Sequence, residues 1–91
     1  MKKKIKNAIR LSEAVKPNLD PTLQQTLNIA CIKYHVHGDD INQPLTRTLF
    51  LEVSYKAIEI GMPFLKRDFI LLLKSKFNYE DWKLQTIMNW I

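Results

Sequence analysis

Apolar side chains recur along this chain at helical spacing, and the interruptions between them carry helix start and stop signals. From about Lys4 to Val15, the positions Ile5, Ala8, Ile9, Ser12 and Val15 fall on one line. Lys16 precedes Pro17, and the residue before a proline disfavours helical geometry, so the first helix is predicted to stop there. A second opens at Asp20-Pro21, an N-cap acid followed by a proline at the first helical position. Its stripe is Leu23, Leu27, Ala30, Cys31 and Tyr34, widened by Ile29, Ile32 and Val36. Gly38 is the predicted end, with His35 and His37 in the last turn, where positive charge suits the helix dipole.

A third helix is predicted from Pro44, with Leu45, Leu49, Val53, Ala57 and Ile60 in line, Phe50, Tyr55 and Ile58 broadening the face, and Gly61 closing it. The stretch from Phe64 to Phe77 reads differently. Its run Phe69 to Leu73 puts apolar groups on nearly every side, leaving a narrow strip for Arg67 and Lys74. A helix of that kind is expected to be surrounded by other elements. After Asn78 a fifth helix carries Glu80 and Asp81 in its first turn and Leu84, Ile87, Met88 and Ile91 on its inner face, with Trp82 and Trp90 off that face. The prediction is an all-α fold: a single helical domain over 1–91, a compact bundle of about five short helices around a central apolar helix at about 64–77.

Size and composition agree with that fold. Ninety-one residues form one domain with a core but no deep cavity. The 46% apolar content is too high for a disordered chain, and only two glycines argue against a sheet with tight turns. One cysteine, Cys31, excludes an intrachain disulfide and points to a reducing compartment. No apolar h-region follows the N-terminal lysines and no run is long enough for a membrane span, so a cytoplasmic protein without membrane contact is expected.

Charge adds the first functional signal. The net charge is +5, and its excess sits in two segments. Residues 1–18 carry +5 through Lys2, Lys3, Lys4, Lys6, Arg10 and Lys16 against Glu13, and residues 62–78 carry +3 through Lys66, Arg67, Lys74 and Lys76 against Asp68. Basic clusters of this kind contact the phosphates of nucleic acid without reading sequence. The candidate nucleic-acid-binding residues are therefore Lys2, Lys3, Lys4, Lys6, Arg10, Lys66, Arg67, Lys74 and Lys76. Arg67 and Lys74 are expected to send both cationic heads to solvent from the strip they share. Tyr55, Tyr79 and Trp82 have rings able to stack on bases.

Catalysis finds no support in the same residues. Cys31 and His35 stand four apart on one predicted helix, but only His37 or Asp39 is near enough in sequence to complete a metal set, so no metal and no cofactor are expected. Ser12, Ser54 and Ser75 lie mid-helix with no base close in sequence. Glu52 and Glu59, with Lys56 between them, read as surface ion pairing. Gly38 and Gly61 are too isolated for a phosphate loop. The expectation is a protein that is not an enzyme and takes no small-molecule substrate.

A short all-helical chain with the Lys2-to-Arg10 arm, the Lys66/Arg67/Lys74/Lys76 set and no catalytic constellation resembles the small subunits of CRISPR effector complexes. The resemblance implies a non-catalytic accessory subunit that steadies the backbone of DNA or RNA beside other protein subunits. The competing class is a protein-interaction module, such as a phage or mobile-element inhibitor or an assembly adaptor, with Phe77, Trp82 and Trp90 as candidate contact residues. A helix-turn-helix regulator fits less well, because Glu80 and Asp81 at the start of its second helix would repel phosphates.

Overall fold

A computed structural model describes residues 19–91, so the predicted helix at 4–15 and the basic residues Lys2 to Arg10 lie outside the described residues. Four helices make up the rest: α1 (Pro21–Lys33), α2 (Gln43–Glu59), α3 (Lys66–Phe77) and α4 (Asp81–Trp90). No strand occurs among the described residues. None of these helices is long and apolar enough to cross a membrane.

Local chemistry accounts for each helix start. Asp20 accepts a hydrogen bond from the Leu23 N–H at 3.1 Å, with Pro21 at the first helical position. Asn42 does the same for Leu45 at 2.9 Å, which places Pro44 second in α2 rather than first. Leu65 has no side-chain acceptor to cap α3. Asp68 supplies half of a capping box instead, accepting the Leu65 N–H at 2.9 Å. The cap of α4 is Glu80, and its carboxylate holds the Trp82 indole N–H. Asn78 adopts the left-handed conformation that stops α3.

The ends of α1 and α2 share one device. After α2, Met62 N–H donates to Ala57 C=O and Gly61 N–H to Ile58 C=O, with Gly61 at φ +70°. This is a Schellman motif closed by glycine. After α1, Val36 N–H donates to Cys31 C=O and His35 N–H to Ile32 C=O, and His35 takes the left-handed position at φ +56°. The helix therefore ends at Lys33, well before Gly38, and His35 and His37 are not in its last turn. Val36 and Cys31 are both buried, which supplies the apolar contact that accompanies the motif.

Helix α1 packs on α2, α2 on α4, and α4 on α3. The side chains meet in one buried cluster that includes Leu23, Leu27, Leu49, Val53, Phe69, Leu72, Leu73, Leu84 and Ile87. Ile70, Leu72 and Leu73 are buried, as the apolar run predicts. The stretch is not encircled, however. Lys66, Arg67, Ser75 and Lys76 are exposed and Leu71 is half-buried, so α3 buries one broad face and keeps a wide solvent face. Thr46 is fully buried, and its hydroxyl has no partner among the described residues.

The loop after α1 is fastened to the far corner of the bundle. Tyr79 O–H donates to Gly38 C=O at 2.6 Å, and a methyl group at Gly38 would come within 3.0 Å of the Phe77 ring. Gly38 is also at φ +90°, where other residues are strained. Its glycine thus serves the loop rather than the helix end. His35 is the position where glycine is lacking, since a left-handed non-glycine residue costs about 1–2 kcal/mol. His35→Gly is expected to raise the unfolding free energy by about 0.5–1 kcal/mol, after subtracting the greater freedom of glycine in the unfolded chain. Urea titration of both proteins checks this.

Candidate functional site

The basic residues of α3 fall into two groups at opposite ends of the helix. Lys66 and Arg67 are exposed at its start. Seven residues separate Arg67 from Lys74, about 10 Å along the axis. Lys74 does not reach solvent alone: its Nζ lies 3.9 Å from an Asp81 carboxylate oxygen in the first turn of α4. Arg67 is exposed as expected, and Lys74 reaches the surface beside the exposed Asp81 rather than alone. Lys76 donates to Asn28 Oδ1 at 2.8 Å and lies 5.2 Å from the Phe77 ring centroid. Both C-terminal lysines are engaged in surface contacts that fix their direction more than they stabilise the fold.

The described body is electrically balanced. Residues 19–91 hold eight Lys and Arg against eight Asp and Glu, so the whole +5 of the chain belongs to residues 1–18. Lys33 bonds Glu52 at 3.3 Å and Lys56 bonds Glu59 at 3.2 Å. Glu52 is thus shared across helices, while Lys56 and Glu59 form the surface pair their spacing implies.

Glu52 is the best-organised polar group. Tyr34 O–H donates to its Oε2 at 2.7 Å, and Lys33 Nζ approaches the same oxygen. The Tyr34 hydrogen bond, followed by that of Lys33, holds the Glu52 carboxyl below its ordinary value, and Glu52 in turn raises Lys33. This junction ties the end of α1 to the middle of α2.

Cys31 is buried, and burial pushes its thiol up, against a smaller opposite pull from Lys76. A thiol held protonated is a poor nucleophile and a poor metal ligand. His35 is exposed beyond the helix end, so it does not share a face with Cys31. Among the described residues no group of three or more His, Cys, Asp or Glu is placed to hold a metal ion.

Apolar residues provide the clearest surface feature. Ile29 and Ile32 are 56% and 75% exposed, and Tyr55 and Ile58 are 67% and 74% exposed. The sequence pattern placed all four on widened core faces; only one side of each helix is buried, and these four occupy the other. Ile60 is likewise exposed rather than at the end of the core stripe, and Leu51 is half exposed. Leu51, Tyr55 and Ile58 stand at i, i+4 and i+7 on α2, across the helix from the buried line Thr46, Leu49, Val53 and Ala57. Sequence reasoning did not single out Leu51. A second line at i, i+4, i+7 opposite the first was the available signal.

Of the aromatic contact candidates, Trp82 is exposed, whereas Phe77 and Trp90 are half-buried and packed on the core. Phe77 lies 5.2 Å from Tyr79, ring to ring. Tyr79 O–H is committed to Gly38, and burial pushes its pKa well above the usual tyrosine value, which keeps the hydroxyl protonated. That leaves Tyr55 and Trp82 as exposed rings. The chain matches no family model, no curated protein and no solved structure.

The Glu52 junction makes a testable point about pH. A carboxyl held below its unfolded value stabilises the fold above the ordinary glutamate range, and that contribution is lost as pH falls through the lowered folded value. In Tyr34→Phe the Glu52 carboxyl should titrate closer to an ordinary glutamate, and the acid-side loss of stability should shrink. Carbon-detected NMR titration of Glu52 in both proteins measures it.

Proposed function

We propose that this protein is a non-enzymatic interaction module whose described body docks on another protein through the outer face of α2. The observation that carries this reading is the second apolar line, Leu51, Tyr55 and Ile58. Large apolar groups scattered singly on a surface need no explanation. Three in one line on a rigid helix form a patch of the kind that partner surfaces cover. The partner chemistry is an apolar surface able to receive three successive turns of a helix.

A photo-crosslinking residue at position 55 in the producing cell tests this, with the exposed position 85 on α4 as the control. One discrete protein adduct is expected from position 55 and none from 85. Ile58→Glu combined with Leu51→Glu should lower its yield about tenfold or more, as loss of interface anchors does. Equal labelling from both positions, or no adduct at all, would remove the proposal.

The second reading is backbone contact with nucleic acid, in the manner implied by the likeness to CRISPR effector small subunits. Two observations favour it. The whole net charge lies in residues 1–18. In addition, Lys66 and Arg67 sit at the start of α3, where the helix dipole disfavours cations, so their place there is not explained by helix stability. Binding to duplex DNA, single-stranded DNA and RNA over a salt series separates the readings: each phosphate contact adds about one to the slope on duplex DNA. Absence of binding at low salt leaves the protein-docking reading alone.

A further inference from the structure

The exposed line on α2 reads nearly the same from either end. Tyr55 stands between Leu51 and Ile58, so an aromatic ring is flanked by two aliphatic groups of similar size. At about 1.5 Å of rise per residue the outer two are about 10 Å apart on one face. Turned end over end, such a pattern complements itself. Leu51 comes opposite Ile58 at both ends, and the two Tyr55 rings come side by side. A two-fold interface between identical chains requires this property.

The charges beside the line share it. Glu52 accepts hydrogen bonds from Lys33 and Tyr34 of α1, so it lies on the flank of α2 that faces α1. Lys56 follows one turn later on the same flank. The turn that sets Leu51 opposite Ile58 also brings Lys56 of one copy beside Glu52 of the other, twice. Lys33, Glu52, Lys56 and Glu59 sum to zero around this face, so two copies meet there without net repulsion. The start of α3 is the opposite case, since Lys66 and Arg67 would set like charges together.

Ile29 extends the same surface. It lies one turn before Lys33, the residue that reaches Glu52, and is itself exposed. Together with Leu51, Tyr55 and Ile58 it offers roughly 400 Å² of apolar area per copy. Interfaces are about 60% apolar. Two copies covering this patch therefore bury about 1,300 Å² in all, inside the range of about 1,200–2,000 Å² for specific association.

We propose that the occupant of the α2 outer face is a second copy of this chain, packed antiparallel about a two-fold axis beside Tyr55. The proposal rests on the docking reading of that face and names its partner. Leu51 of each copy packs on Ile58 of the other, and Glu52 pairs with Lys56 across the axis. An interface at the lower end of the size range, with one aromatic anchor per copy, corresponds to a dissociation constant of about micromolar order.

The test is sedimentation equilibrium of the full chain from about 1 μM to about 1 mM. Twice the chain mass is expected at the upper end, and Ile58→Glu should raise the dissociation constant about tenfold or more. Lys56→Glu and Glu52→Lys should each weaken self-association, because each sets like charges across the axis. An equimolar mixture of the two should associate more tightly than either alone, because opposite charges then face each other again. Thermal unfolding by circular dichroism checks that each variant is folded. Should Glu52→Lys unfold through loss of its Tyr34 contact, oxidative self-crosslinking of Tyr55→Cys, with Gln85→Cys as control, carries the test, and equal crosslinking at both positions counts against the proposal. A chain that stays monomeric at about 1 mM overturns it. So does a dimer that Ile58→Glu leaves intact, or a mixture no tighter than its components. The docking reading is decided separately by the adduct from position 55 in the cell. An adduct with the mass of a different protein keeps that reading and removes only this one.

Discussion

The Phe69 ring is fully buried and meets Phe50 of α2 edge-on at 5.2 Å, while Phe64 stacks on Phe50 at 5.9 Å. Aromatic groups of this size dominate the apolar area a small domain can bury. Their cluster fixes α2, the α2–α3 connection and α3 to one another. Leu72 and Leu73 continue the same face of α3 toward the remaining helices. The described body has no disulfide, so its order rests on this single core and on well-made helix ends. The two Schellman ends serve it directly. They turn the chain within three residues and bury Val36 and half-bury Met62 at the places where the core needs cover.

One core in a chain of short helices cannot take every apolar residue. Helices α1 and α2 each carry apolar side chains on two sides, and only one side of each is used. What is left outside is an ordered line on α2 and an aliphatic pair, Ile29 and Ile32, on α1. Charge is divided in the same manner. The body balances its ions locally, through Glu52, Lys56 with Glu59, and Lys74 with Asp81, and the excess lies in the N-terminal eighteen residues. Apolar contact and positive charge therefore belong to different parts of the molecule. This separation is why protein docking and polyanion contact stand as two readings with separate tests.

Helix existence was legible because caps and stripes are local. Asp20-Pro21 and Asn42-Gln43-Pro44 announce their helices, and the lines through Leu27, Leu49 and Leu84 identify buried faces. Two kinds of feature were not legible. The end of α1 was misplaced because glycine at 38 is the better left-handed residue, yet the chain turns at His35 and uses Gly38 to admit the Phe77 ring. Tertiary packing overrode local preference there. The second limit concerns two-sided helices. Periodicity shows that Tyr55 and Ile58 share an apolar arc, but only the position of the neighbouring helices decides which arc is buried. The partnering of Lys74 with Asp81 is of the same type, since it needs the angle between α3 and α4.

The central claim is that the outer face of α2 is apolar for a reason other than folding, and the unfolding free energy of one triple variant tests it. Leu51, Tyr55 and Ile58 are replaced together by Gln, a residue that keeps helix propensity. Three surface substitutions should change the unfolding free energy by about 1 kcal/mol or less in either direction. A loss comparable to that of core truncations, about 2–5 kcal/mol, would show that the face is buried in the folded chain and would contradict the account.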